Sequence, residues 1–247
     1  MPRDWDAATY DRIADPQLRW GSAVLDRLKL DGGDAVMDAG CGSGRVTELV
    51  AERFTAARIV ALDGSPSMID QARGRLERFG DRVTFVLADL MHPLPVEEPV
   101  DAIFSTATFH WIPDHDALFA NLGGAMRPGA RLVAQCGGAG NLGSVVRVLD
   151  ELGADTFTGK VFATPEETEA RLRRAGFDEI ESWLHAEPTP FESLGALETF
   201  LRTVVLGDHV HGMSEDEASA FTHAVASRLP GLELDYVRLN IGAKRPG

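Results

Sequence analysis

Cysteine is scarce in this chain, at two of 247 residues, and so are tyrosine, also two, and long apolar runs. Each scarcity closes off a class. Cys41 and Cys136 fall where the surrounding pattern places a buried turn and a strand end, which excludes a disulfide scaffold and fits a reducing, cytoplasmic setting. No stretch reaches the ~18 apolar residues of a membrane span. The polar, acidic start from Met1 to Tyr10 reads as neither a signal nor a transit peptide. Basic residues are few as well, 24 against 38 acidic, for a formal net charge of −14. Such a chain lacks the broad basic face that nucleic acid or anionic lipid requires. The expected partner is a small molecule, with no nucleic acid and no membrane, for a monomer or homodimer.

What is present suffices for a packed core, with 44% apolar and 25% charged residues. Strand-like and helix-like stretches alternate through the first 140 residues. Strands are expected at 34–38, 58–62, 83–87, 100–105 and 130–135. Helices are expected at 45–54, behind Ser65-Pro66, and at 116–126, the last ended by Arg127-Pro128-Gly129. Ser65 and Pro66 read as N-cap and first helical residue, with Met68, Ala72, Leu76 and Phe79 as a buried stripe behind them. This order implies an α/β fold with parallel strands, right-handed crossovers and helices on both faces. Short strands rich in Val, Ile and Leu imply a sheet buried on both faces. Beyond residue 136 the pattern predicts a helix at 141–153 and a capping box at Thr164-Pro165-Glu166-Glu167, whose helix closes at Gly176. A strand at 177–186, a break at 187–190, helices at 193–206 and 214–229, and a last strand at 233–243 complete the chain. The helices of about 188–230 read as a cap inserted at one edge of the sheet.

The most informative stretch is Val36 to Arg45, VMDAGCGSGR. A strand runs straight into Gly40, Gly42 and Gly44, and then into a helix. Glycines serve where backbone turns tightly or a ligand approaches it, and the amides that open the helix suit an anionic group. Asp63 ends the second strand, placed to accept both hydroxyls of a ribose, and Asp89 follows the third strand. A glycine triplet alone says little; strand, glycines, helix, strand, acid, helix, strand, acid says far more. A dinucleotide-binding domain is the near alternative, but the spacing is G-x-G-x-G rather than G-x-G-x-x-G, and Asp38 ahead of Ala39-Gly40 is unusual for a nicotinamide site.

These residues resemble the class I S-adenosylmethionine (SAM)-dependent methyltransferases: the D-x-G-x-G-x-G motif, the acids after strands two and three, and the Arg-Pro-Gly turn before strand five. The resemblance is closest over about 30–136. Asp4-Trp5-Asp6 with Tyr10, the segments 108–114, 191–194 and 200–203, and 234–241 are similar to the trans-aconitate methyltransferase group within that superfamily. The resemblance implies a Rossmann-like, mostly parallel sheet, last strand antiparallel, with a helical cap insertion. Residues 1–30 would close over the cofactor, 31–136 would bind SAM, and 137–247 would complete the sheet and form the substrate pocket with the cap. SAM is the implied cofactor and S-adenosylhomocysteine the product. Ala39, Gly40, Gly42 and Gly44 would wrap its methionine part, and Asp38 its amino group. Asp63 would hold the ribose, Gly64 and Met68 would lie on the adenine, and Asp89 and the Leu90 backbone would meet the adenine edge. Ser105 would face the sulfonium. Tyr10 and Trp20 would cover the cofactor, simple packing being their alternative.

The implied chemistry is in-line displacement at an activated methyl, to which a protein contributes positioning and desolvation. A carboxylate acceptor needs no base; a hydroxyl or phenol benefits from one. His110 is the candidate base, unless it and Trp111 only shape the pocket wall. An anionic acceptor needs a local cation, and Arg202 and Arg238 are the candidates, each with a structural ion pair as its alternative. His209-Val210-His211 lacks a third ligand in register, so no metal is expected. Cys41 reads as a small packed residue. The glycine-rich 135–141 reads as a hinge to the cap. The favoured function is O-methylation of a small carboxylate resembling trans-aconitate. The alternatives are O-, N- or C-methylation of a secondary metabolite, and SAM binding without methyl transfer.

Overall fold

Seven strands form one sheet in the computed structural model, which describes residues 15–31 and 33–247. They are Ala35–Ala39 (β1), Arg58–Asp63 (β2), Val83–Leu87 (β3), Val100–Thr106 (β4), Met126–Gly137 (β5), Asp178–Ala186 (β6) and Val237–Lys244 (β9). Their order is β3-β2-β1-β4-β5-β9-β6. β9 runs antiparallel to both of its neighbours, and the other pairs are parallel. The Rossmann-like sheet with a reversed last strand is therefore present. All five residues of β1 are buried, as a central strand covered on both faces should be. At the edge the expectation of two buried faces fails: Thr84 and Leu87 of β3 are exposed, Leu87 to 54%, because no strand lies beyond it.

Helices Asp15–Leu25 (α1), Arg45–Arg53 (α2), Pro66–Leu76 (α3), His115–Gly124 (α4) and Pro165–Arg174 (α6) cover the sheet, and Gly143–Glu151 (α5) follows β5. Ser65 caps α3 as expected, its hydroxyl accepting from Met68 N, and Pro66 is the first helical residue. Met68, Ala72 and Leu76 are buried, whereas Phe79 sits in the turn after the helix and is only half-buried. The Thr164–Glu167 capping box forms in full. α4 ends before Met126, because Met126 already pairs with Val100 as the first residue of β5.

Two corrections concern the last 60 residues. Residues 189–190, read as a break, form a short strand (β7, Thr189–Pro190) that pairs with Glu233–Leu234 (β8). The expected strand over 233–243 is consequently split at Asp235, whose carboxylate accepts from Ser144 N at 2.8 Å and Ser144 Oγ at 2.5 Å. That carboxylate caps α5, whose own N-cap residue Leu142 supplies no side-chain acceptor. Between β7 and β8 lie Leu194–Phe200 (α7), continued by a wider turn through Val205, then Gly207–Val210 (α8) and Glu215–Ala226 (α9). Their buried side chains, Leu197, Phe200, Leu201 and Val225 among them, share one core with Leu149 of α5 and Trp20 of α1. Among the described residues no helix is long and apolar enough to cross a membrane.

Candidate functional site

The carboxyl ends of β1, β2 and β4 open into a cleft of about 640 Å³, bordered also by the loops after β3 and α5, by the cap and by β9. Its first group of residues is built from consecutive βα turns. Gly40, Gly42 and Gly44 all hold positive φ, at 86°, 54° and 82°. Gly40 N and Cys41 N both donate to Leu62 O, at 2.8 and 2.9 Å, which folds the loop over the end of β2. A Cβ on Gly40 would overlap the Thr108 hydroxyl and methyl and come within 2.7 Å of its Cβ. A Cβ on Gly42 would meet nothing within 4 Å, and Gly42 borders the cleft. Only glycine gives a turn this tight and a ligand this close an approach to the backbone.

Asp63 is fixed by two backbone donors, Gly42 N to Oδ2 and Ser65 N to Oδ1, both at 2.9 Å. Burial pushes its carboxyl up despite those bonds. Asp38 lies beneath the loop, 2% exposed, its Oδ2 accepting from Thr47 Oγ1 at 2.7 Å. Burial pushes it up to about 7; the Thr47 bond opposes this and the charge of Asp63 adds to it. Gly64, Met68, Asp89 and Leu90 border the cleft, with Met91 and His92, which the sequence did not single out. Asp89 Oδ1 accepts from Met91 N at 3.0 Å, which sets the turn after β3. Ala39 and Gly44 support the loop from below and do not border the cleft. Ser105 does not border it either. Its buried hydroxyl donates to Ala39 O at 2.6 Å, and Thr106, Ala107 and Thr108 stand at the surface in its place.

The second group comes from distant segments. His110 sits in the short helical turn Phe109–Trp111 after β4, its Nδ1 accepting from Gly137 N at 3.3 Å. With Nδ1 so committed, the neutral ring carries its proton on Nε2. Burial first, then the charges of Arg238 and Lys160, hold His110 well below the ordinary histidine range. It is a neutral ring with a donor to offer, which contradicts its expected service as a base. Trp111 borders the cleft and carries the Lys160 ammonium 4.1 Å above its ring, while Phe157 lies 4.2 Å from the same ammonium. Lys160 also pairs with Asp208 of α8 at 3.8 Å. Lys160 was missed. Its signal was available: it is one of three lysines in the chain, and Phe157 and Phe162 flank it.

Arg238 on β9 is 1% exposed, its guanidinium 4.2 Å over the Trp20 ring, and it borders the cleft. Trp20 is buried there too, edge-on to Tyr236 at 4.9 Å. Arg202 is not part of the site. It faces outward from the cap, Nη1 and Nη2 donating to Glu215 at 2.5 and 2.6 Å, which is the structural ion pair weighed as its alternative. Tyr10 lies outside the described residues. His209 hydrogen-bonds Asp155 O at 2.6 Å and stacks on Phe221; among the described residues no three His, Cys, Asp or Glu side chains are grouped to hold a metal. Cys41 is buried, with its thiol pushed well up by burial and by Asp38 and Asp63. Gly137 and Gly138, expected as a hinge, are closely packed: a Cβ would lie 2.9 Å from Phe162 and 2.8 Å from Leu239 respectively.

Residues 36–129 match a family described as a methyltransferase domain. The chain is 35% identical over 183 residues to trans-aconitate 2-methyltransferase of Methylobacterium nodulans, covering 74% of this chain and 68% of that one. It is 39% identical over 132 residues to the enzyme of the same name from Methylobacterium radiotolerans, covering 53% and 49%. Against most such curated relatives the chain spans about half their length. Among solved structures, phosphoethanolamine N-methyltransferase 2 of Haemonchus contortus, in complex with phosphomonomethylethanolamine and S-adenosylhomocysteine, superposes with a TM-score of 0.66. That match covers 98% of this chain and 57% of the other at 20% identity, a likeness of fold.

Proposed function

The chain belongs to the class I SAM-dependent methyltransferases, and from that premise we propose that it methylates a carboxylate oxygen of a small organic acid bearing more than one negative charge. The first group of residues fits the cofactor: the open space off Gly42 is a cradle that any side chain would fill. Asp38 would take the amino group, Asp63 the ribose hydroxyls, and Asp89 with the Leu90 backbone the adenine edge. Gly64 and Met68 would lie against the ring, and Trp20 would cover the cofactor. The cofactor supplies an activated methyl, so the protein's task is to hold the acceptor oxygen in line and to exclude water.

One observation carries the choice of acceptor. In a chain of net charge −14, two cations, Arg238 and Lys160, border one cleft beside a histidine that can only donate. Arg238 and Lys160 bind the carboxylates, and His110 Nε2–H orients one of them. A carboxylate is already ionised and asks for no base, whereas a hydroxyl or phenol does, and His110 cannot serve as one. We also read the cap as the outer wall of the acceptor pocket, since Val204, Val205 and Asp208 border the same cleft.

The test is release of S-adenosylhomocysteine from SAM with a panel of trans-aconitate, other di- and tricarboxylates, fatty acids and phenols. Turnover is expected with the polycarboxylates, and the His110→Gln variant should retain it with a raised KM. Turnover with phenols alone, abolished in His110→Gln, would overturn the reading, as would silence on every acceptor despite SAM binding.

A further inference from the structure

Arg238 does not stand alone behind the cleft; it heads a line of hydrogen bonds that crosses three strands. Arg238 Nε donates to Gln135 Oε1 at 3.3 Å, and Gln135 Nε2 donates to Asn240 Oδ1 at 3.0 Å. Asn240 Nδ2 meets His185 Nδ1 at 2.9 Å, and His185 Nε2 meets Glu187 Oε2 at 2.9 Å. Glu187 ends the line in an ion pair with Arg19 of α1 at 2.8 Å. The strand register explains why these side chains meet. Gln135 of β5 is directly opposite Asn240 of β9, His185 of β6 is opposite Arg238, and residues 238 and 240 share one sheet face. Gln135, Asn240 and Arg238 are all buried, while His185 reaches the surface with 40% of its side chain exposed.

The direction of the line is forced from its inner end. A guanidinium has donors only, so the Gln135 atom facing it must be the carbonyl oxygen. The Gln135 amide then faces Asn240, which must present its own carbonyl oxygen. The Asn240 amide is left to face His185, so Nδ1 must be the acceptor and Nε2 must carry the proton toward Glu187. Every link is donor to acceptor in one sense. Reversing any link puts two donors face to face somewhere in a buried row, at the cost of an unmet polar group.

We infer that Gln135, Asn240 and His185 are positioning residues for Arg238, and that a proton taken up by His185 at the sheet edge loosens the grip of the cleft on an anionic acceptor. Protonated Nδ1 is a donor, so Asn240 must turn its oxygen outward. Gln135 must turn in response, and its amide then opposes Arg238 Nε–H. Among the described residues the charged groups around His185 are Glu187 just past the end of its strand, Arg238 from β9, and Arg19 from α1; Arg27, in the turn after α1, lies over Trp183, two residues along. This inference rests on the acceptor reading above, and its test separates the two.

The first arm needs no acceptor. Long-range 15N NMR of the whole protein should show neutral His185 protonated on Nε2, and the Arg238 Nε–H signal should move in step with His185 as pH is lowered. In Gln135→Leu that coupling should vanish. A neutral His185 protonated on Nδ1, or an Arg238 signal indifferent to His185, overturns the inference. The second arm uses trans-aconitate as substrate. Gln135→Leu should raise its KM by about 10-fold, the loss expected for a hydrogen bond to a charged group, with kcat and SAM affinity changed less than about twofold. In the wild type KM should rise as pH is lowered. In His185→Asn, whose amide oxygen still accepts from Asn240, KM should stay flat. A KM in His185→Asn that still rises as pH falls, as in wild type, refutes the inference. Absence of any turnover by wild type counts against the acceptor reading, and the NMR arm then decides the relay by itself.

Discussion

Replacing Asp38 with asparagine is expected to stabilise the cofactor-free protein at alkaline pH while weakening SAM binding. Asp38 is fully buried and is pushed from an ordinary 3.8 up to about 7, chiefly by burial. The folded protein therefore holds the Asp38 proton more tightly than the unfolded chain does. The sign follows: this proton's contribution to stability is complete below about 3.8 and is lost as pH rises through about 7. Each tenfold change in proton affinity carries about 1.4 kcal/mol, so the difference amounts to about 4 kcal/mol between pH 4 and pH 8, as an upper bound. In a chain of this size that corresponds to a melting-point change on the order of 10 °C.

Asparagine keeps an oxygen for the Thr47 hydroxyl and has no charge to bury, so Asp38→Asn should lose this pH dependence. Thermal melts of both proteins from pH 4 to pH 9 without cofactor give the comparison. The variant should melt higher at pH 8 and close to wild type at pH 4. Adding SAM should reverse the order at pH 8, because the charged amino group compensates the carboxylate only in wild type. Calorimetry should show SAM binding at least 10-fold weaker in the variant, the scale of a lost charge-assisted hydrogen bond. Equal melting of the two proteins at pH 8 without cofactor would refute the account of Asp38 as a strained, buried anion. Undiminished SAM affinity would refute its part in holding the amino group.

Two contrasts test the rest of the site. Lys160→Ala should raise KM for a polycarboxylate by 10-fold or more, whereas Arg202→Ala, which removes only an exposed ion pair with Glu215, should leave KM unchanged and melting within about 2 °C; steady-state kinetics on the pair distinguishes them. Gly40→Ala should lower the melting point by several degrees, since it adds left-handed strain of about 1–2 kcal/mol to an overlap with Thr108. Thermal melts of Gly40→Ala combined with Thr108→Gly should then show recovery of the overlap but not of the backbone strain.

The cofactor side of the cleft was legible because its parts are local. β1, the glycine turn and α2 occupy one continuous stretch, and Asp63 ends, and Asp89 comes just past, a strand that apolar patterning reveals. The errors fall where a distant residue decides. Nothing in ELDYVRLNIGA announces that Asp235 is claimed by Ser144, 91 residues earlier, which splits the expected strand in two. The family resemblance implies Ser105 at the sulfonium. The Ala39 carbonyl on the neighbouring strand takes its hydroxyl instead. Leu87 looked buried because the composition of β3 is that of a central strand, and only the strand order makes it an edge.

The acceptor side resists sequence reading for a physical reason beyond scattered segments. Arginines are usual on acidic surfaces, and sequence cannot distinguish one neutralised by a carboxylate from one held in place for a ligand. Structure separates them by where each cation lies. Arg202 is matched bond for bond by Glu215. Arg238 and Lys160 border the cleft, Arg238 against the Trp20 face and Gln135 Oε1, Lys160 against Trp111, Phe157 and Asp208. In a protein carrying −14, bulk electrostatics repel an anionic acceptor at long range. Against that background two cations are gathered at one cleft, and the side chains packed on them come from α1, β5, the turn after β4 and the loop after α5, brought together by the fold alone.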